Sequence, residues 1–265
     1  MLFRSKTIRS TYLHDASAVA ASGQIVSPFE DLIPTQAALA LPVSGGYGST
    51  RVEGFRYKEI LSFGSAYTEV AGVGGKDGPF ETLAVAAIEK LNILDVITCE
   101  RMVCRIASAF SVGGKEPSFT TMGSRFERLR VGSYFWDELD LGVGVLADCP
   151  TWSKLQSALG NGGTRDQLKR LGMPAPNGDP VPLPEGDRMP NVVGFSLCSA
   201  AGKSSNAMEV PARIHLTQLG TVHLGQFFVH QYTRHLVMLK IDLGCPVKGG
   251  IQTAGGKSGG DPYPP

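Results

Sequence analysis

The sequence of 265 residues has no apolar run long enough to cross a bilayer. No apolar stretch follows the basic residues Arg4, Lys6 and Arg9 either, so the start of the chain does not have the pattern of a signal peptide. An excess of charge of one sign is also absent, since 25 basic and 24 acidic residues give a formal net charge of +1. We therefore expect a cytoplasmic protein without a membrane partner, and the neutral balance argues against nucleic acid as a partner.

Cysteine pairs at metal-binding or redox spacing are missing too. The five cysteines are odd in number, widely spaced and never arranged as Cys-x-x-Cys: Cys99, Cys104, Cys149, Cys198 and Cys245. This pattern favours reduced, buried thiols over a disulfide framework or a zinc site. It agrees with a cytoplasmic location.

Two Gly-Lys-Ser tripeptides, which begin at Gly202 and Gly256, raise the question of nucleotide binding. A phosphate-binding loop requires another glycine five residues earlier, and Leu197 and Ile251 occupy those positions. Neither copy leads into a long helix whose N-terminus could hold the phosphates. We therefore expect no nucleotide ligand.

Glycine is abundant, at 33 residues, and it separates short runs with the two-residue period of strands. Residues 101–112 alternate in this way and predict a long strand with one apolar face. Gly113 and Gly114 then fit a hairpin loop. Residues 79–94 fit a strand or a helix, and the turn signal at 74–78 before them favours the strand.

Three further strands are predicted at residues 212–220, 221–231 and 234–244, as an antiparallel meander. The apolar residues expected to contact the core or a packed interface are Ile214, Leu216, Val222, Leu224, Phe228, Val237 and Leu239. Two short helices are predicted at residues 151–159 and 164–171.

These patterns predict a mainly β fold, which is a single antiparallel sandwich or barrel with a C-terminal meander, two short helices and extended arms at both ends. We expect an N-terminal arm at residues 1–45 and a β domain at residues 46–245. The β domain contains a proline-rich excursion at about residues 160–190. Residues 246–265 are rich in glycine and proline and are predicted to form a C-terminal tail.

Four histidines cluster in the predicted meander: His215, His223, His230 and His235. A two-residue turn at 232–233 would pair His230 with His235, which makes these two the candidates for a metal pair. A turn at 219–220 would send the other two to opposite faces of the sheet. A site with three or four ligands lacks geometric support, so we expect no metal.

Catalytic motifs with the spacing that their chemistry requires are absent. The sequence has no Gly-x-Ser-x-Gly elbow. The acids around Asp137 lie beside Phe135 and Trp136, and this fits a loop that leaves a strand, with buried aromatics and solvated acids, better than a carbohydrate site. Arg125, with two further arginines close behind it, alternates too poorly with apolar residues for an RNA-binding surface. We predict no catalytic residue and no cofactor.

The function favoured by this sequence is that of a non-enzymatic structural or assembly protein. Its terminal arms would contact neighbouring subunits of a homo-oligomer, with Val247, Ile251 and Tyr263 as the interface residues of the tail. The alternative is a small-ligand-binding β-barrel, with the meander histidines as residues for enzyme chemistry. A filled interior would favour the first function, and a pocket with converging polar groups would favour the second.

Overall fold

The computed structural model describes residues 11–74, 78–142, 144, 146–171, 192–200, 210–217, 219–244 and 247–263. The strands found within these residues are β1 (Thr11–His14), β2 (Ser17–Ser27), β3 (Asp31–Ala40), β4 (Gly46–Tyr57), β5 (Leu61–Val73), β6 (Phe80–Ile93), β7 (Ile97–Phe110), β8 (Ser118–Thr120), β9 (Arg125–Val131), β10 (Tyr134–Asp140), β11 (Val192–Ser196), β12 (Arg213–Leu216), β13 (Gly220–His230), β14 (Thr233–Leu243) and β15 (Lys248–Tyr263). The helices within the same residues are α1 (Trp152–Gly160), α2 (Gly162–Leu171) and the short α3 (Leu197–Ala200).

Two antiparallel sheets stack face to face as a sandwich and do not close into a barrel. The eight-stranded sheet has the order β11-β13-β14-β15-β2-β3, with β12 paired to β13 and β1 paired to β15. The seven-stranded sheet has the order β10-β9-β7-β6-β5-β4, with β8 paired to β7. The predicted mainly β fold, its antiparallel sandwich and the meander of β12, β13 and β14 are confirmed.

The core lies between the sheets and follows the period of the strands. In β6, for example, Ala84, Ala86 and Ile88 are buried, whereas Leu83 and Val85 between them are only partly covered. The segment that fitted either a strand or a helix is therefore a strand, and its helical spacing of apolar residues is incidental.

Both predicted helices form, and they pack at one end of the sandwich. Thr151 caps α1, because its hydroxyl accepts the N–H of Lys154 at 3.3 Å, and Trp152, Leu155 and Leu159 cover the core. Helix α2 begins two residues earlier than expected, at Gly162. Among the described residues, no helix is both long and apolar enough to span a membrane. Most of the predicted proline-rich excursion lies outside them.

The described part of the predicted N-terminal arm, residues 11–45, supplies three strands of the eight-stranded sheet instead. Strand β2 lies between β15 and β3, and Ala18, Ala20 and Ile25 in it are fully buried. The prediction failed because alanine carries little hydrophobic signal, although it fits a position where two sheets come close together.

The prediction of a C-terminal tail also has to be corrected. Residues Lys248–Tyr263 form β15, which pairs with β14 on one side and with β2 on the other. Ile251, Thr253 and Ser258 are buried, and the alternation of its side chains breaks once, at Ala254, which has a φ of +48° and is buried next to Thr253. Glycine lowers the intrinsic strand propensity of this segment, but neighbours on both sides satisfy its backbone hydrogen bonds.

Candidate functional site

The seven-stranded sheet has one side that faces away from the core, which we call the outer face. The outer face is formed by the outward side chains of β5, β6 and β7, whose apolar members are Ala71, Val73, Leu83, Val85, Ala87, Val103, Ala107 and Ala109. Most of these residues are partly exposed. Charged residues such as Glu81, Glu89 and Arg101 border these apolar side chains on the same side. So many apolar side chains are unusual on an outward sheet face, because residues that face solvent are normally polar.

A groove of about 640 Å³ runs along one end of the outer face. Ala71, Leu83 and Ala107 lie side by side in the register of the strands and line it. Phe119 and Pro150 form a wall, held together by a 2.8 Å hydrogen bond from the N–H of Phe119 to the carbonyl of Pro150. The depth of the groove follows from its alanine side chains, which leave the space above the backbone open.

Opposite charges flank the apolar centre of the outer face. Glu69, Val85 and Arg105 lie side by side on β5, β6 and β7. The Tyr67 hydroxyl donates to Glu69, and this bond raises the pKa of Tyr67. Arg105 donates from Nη1 to the carbonyl of Met122 at 3.0 Å. Adjacent strands are about 4.8 Å apart, so Glu69 and Arg105 lie on strands roughly 10 Å apart.

A second feature lies inside the sandwich, where Arg234 on β14 is only 2% exposed. Its guanidinium carbon lies 4.3 Å from the centre of the Phe119 ring. Nη1 donates to the carbonyls of His230 and Thr233, whereas Nη2 has no hydrogen-bond partner within the described ranges. Burial lowers the pKa of Arg234 to about 9, which still leaves the group charged at neutral pH.

Beside Arg234 is a cavity of about 120 Å³. Its walls include the apolar residues Leu155, Leu197, Phe227 and Val229, together with the polar residues Thr120 and Thr121. A buried charged residue thus lies beside a cavity that is lined in part by apolar side chains. Sequence reasoning missed this feature because the fold brings β8, α1 and β14 together from distant parts of the chain.

A buried polar network, also missed, joins the sheets near β1. His14 Nδ1 lies 3.1 Å from the Thr82 hydroxyl, and the Ser258 hydroxyl donates to the Thr82 carbonyl at 3.0 Å. The rings of Tyr12 and Phe80 stack at 4.9 Å beside His14. Burial raises the pKa of Tyr12 to about 12 and lowers that of His14. The hydrogen bond of Ser258 goes to a backbone carbonyl, so this network is structural and not a serine–histidine pair.

The buried His14 should make the protein sensitive to acid. Since the pKa of His14 is lower in the folded than in the unfolded chain, stability is complete above about pH 6.5 and falls as the pH drops towards the folded-state pKa. We expect His14→Gln to reduce the loss of urea resistance between about pH 7.5 and about pH 5. Burial lowers the pKa of His223 and His235 as well, so part of the slope should remain. The exposed His215→Gln is the control, and an unchanged slope in His14→Gln would contradict the assignment.

The register of the meander corrects the predicted histidine geometry. Phe228 pairs with His235 and their rings stack at 6.0 Å, so the turn falls at 231–232 and His230 does not face His235. Phe228 is consequently only half-buried, in contrast to the prediction. The other core residues predicted for the meander are buried or packed against the core.

The first turn of the meander also differs, because His215 pairs with Thr221 and shares a face with His223. His223 bonds Asp242 at 3.0 Å, while His215 lies 3.5 Å from the Thr221 hydroxyl. The described residues contain no group of three or more histidine, cysteine or acidic side chains that could hold a metal.

The residues predicted to form a tail interface belong to the sheet or pack next to it. Ile251 is fully buried in the core of a single chain, so its side chain is not available to a neighbouring subunit. Val247 packs against the same core, and Tyr263 ends β15 opposite Thr11.

The Gly-Lys-Ser copy in β15 is part of a strand and not of a loop. Gly256 and Ser258 face the core, and Lys257 points outward to Asp15 at 2.6 Å. The backbone N–H groups of an extended strand do not converge on a phosphate. The copy at Gly202 lies outside the described residues.

The four cysteines that the structure describes lack the features of nucleophiles. Cys99, Cys104 and Cys198 are buried and free, and burial raises the pKa of each thiol. Burial has the same effect on the half-buried Cys149, whereas Cys245 lies outside the described residues.

The fold and its outer face define an antiparallel β-sandwich with a group of apolar side chains on the outward side of one sheet. The chain belongs to the family described as a domain of unknown function, DUF8256, whose model matches residues 12–170. Comparisons with curated proteins and with solved structures gave no match.

Proposed function

We propose that this protein is a non-enzymatic structural or assembly protein, in which the outer face contacts a second copy of the chain. The observation that carries the proposal is the apolar composition of the outer face. Apolar side chains on the inner faces of both sheets already fill the core. Those of the outer face are additional, and burial against another chain would remove them from water.

The partner we favour is a second copy, because the outer face is complementary to itself. A two-fold axis along β6 would place Val85 on Val85 and Glu69 of one copy over Arg105 of the other. Face-to-face packing of two such sheets follows the same geometry as the sandwich itself. In this proposal the outer face, and not the terminal arms expected from the sequence, contacts the neighbouring subunit.

The proposal predicts that one charge on the outer face disrupts the assembly. In Leu83→Lys, the ammonium group would lie at the centre of the contact and lose its water there. We expect light scattering to give an oligomer for the wild type and a monomer mass for this variant. Leu32→Lys on β3 is the matched control, because Leu32 is 68% exposed and lies on the other sheet. A wild-type chain that runs as a monomer would refute the proposal.

A charge exchange tests the two-fold arrangement separately. Glu69→Arg and Arg105→Glu should each weaken the oligomer, since each places like charges opposite one another. The double variant should restore the oligomer. Single variants without effect, or a double variant that is as weak as either, would contradict the arrangement along β6.

A further inference from the structure

We propose that the cavity beside Arg234 binds a small carboxylate that carries an apolar group. The first reason is the lack of a counterion. A buried cation costs several kcal/mol unless an anion compensates for its lost hydration. No acidic group within the described residues lies within 4.0 Å of the Arg234 guanidinium, and Nη2 has no hydrogen-bond partner there.

The acid whose charge acts on Arg234 is already engaged. Glu116 attracts the guanidinium electrostatically. However, its two carboxylate oxygens accept the N–H of Ser153 in the first turn of α1, at 3.2 and 3.0 Å. A carboxylate at a helix N-terminus is in a favourable position of its own. The positive charge of Arg234 therefore remains available to a ligand.

The cavity determines which anion fits. About 120 Å³ is much more than the roughly 10–15 Å³ that one water requires. Leu155, Phe227 and Val229 would contact an apolar group, whereas a bare inorganic anion would leave these walls without a partner. Arg234 is one of the residues that line the cavity, and its guanidinium lies against the Phe119 ring, so a carboxylate in the cavity would be held beside the buried positive charge.

Calorimetry on the purified chain with sodium acetate, butyrate and benzoate tests the proposal, with sodium chloride at the same ionic strength as the reference. We expect saturable binding of butyrate or benzoate, tighter than that of acetate, and a matching rise in Tm. No carboxylate binding, or an equal effect of chloride, would overturn it.

Two variants locate the site. Arg234→Met keeps the length of the side chain and removes the charge, so the affinity for the bound carboxylate should fall by about tenfold or more. Lys240→Met makes the same charge change on the outward side of the same strand and should bind as the wild type does. Unchanged affinity in a folded Arg234→Met variant would overturn the proposal. The wild-type titration decides it if that variant does not fold.

Discussion

A chain that ends at residue 245 should fail to fold. Strand β15 lies between β14 and β2, and its removal would leave two long strand edges unpaired in the middle of the eight-stranded sheet. It would also remove Ile251 and Ala254 from the core. The whole stability of a domain is about 5–15 kcal/mol, which is less than the loss of a central strand costs. Far-UV circular dichroism and urea unfolding should show no cooperative transition.

The missing strand can be supplied in trans as a control. A synthetic peptide of residues 246–265 should restore the folded spectrum, because the gap between β14 and β2 offers hydrogen bonds along both of its edges. The same peptide with Ile251→Lys should not restore it, since that side chain enters the core. If the truncated chain instead remained folded and lost only oligomeric mass, the segment would be the tail that its composition suggests.

The extent of the family match also indicates that the fold requires β15. Residues 12–170 contain every described strand of the seven-stranded sheet but only β1, β2 and β3 of the other. Strands β1 and β2 pair with β15, which lies beyond the match. The matched segment therefore depends on the rest of this chain to complete its sandwich.

Strands with regular alternation could be predicted from the sequence, whereas the alanine-rich β2 and the glycine-rich β15 could not. Strand β7 has a clear two-residue period and was predicted, but β15 contains glycines that score as turns in isolation. Segment β15 is a strand because it pairs with a neighbour on each side. One of these neighbours, β2, lies more than two hundred residues earlier in the chain. Local propensity carries no information on such pairing.

The candidate sites were hidden for a related reason. The alternation in β7 predicted two faces, but not that Ala107 would lie beside Leu83 and Ala71 to form a groove. Similarly, the sequence shows Arg234 only as a single cation in an apolar strand. An irregularity near Gly225, whose φ is +60°, changes which residues of the meander face inward. The burial of Arg234 depends on that change.

The close approach of the two sheets at β15 leads to a second large effect, at Gly256. A Cβ atom on Gly256 would lie 3.1 Å from Cys104 Sγ and 3.3 Å from a methyl group of Ile106. The branched side chain of valine would extend further into this space, so Gly256→Val should lower the free energy of unfolding by about 1–3 kcal/mol or more through overpacking. Urea unfolding measures the change directly.

Gly255 provides the matched control for this substitution, because it is the neighbouring residue on the same strand and faces the other side of the sheet. The nearest atom to a Cβ there is His235 Nε2 at 3.9 Å, which is an ordinary contact. Gly255→Val should therefore change stability little, or raise it, since valine favours strands.

The coupled variant Gly256→Ala with Cys104→Ala should lose less stability than the sum of the two single changes, because removal of the thiol leaves room for the new methyl group. Equal effects of valine at both glycines would mean that glycine acts in β15 through strand propensity alone, and that the sheet spacing does not depend on Gly256.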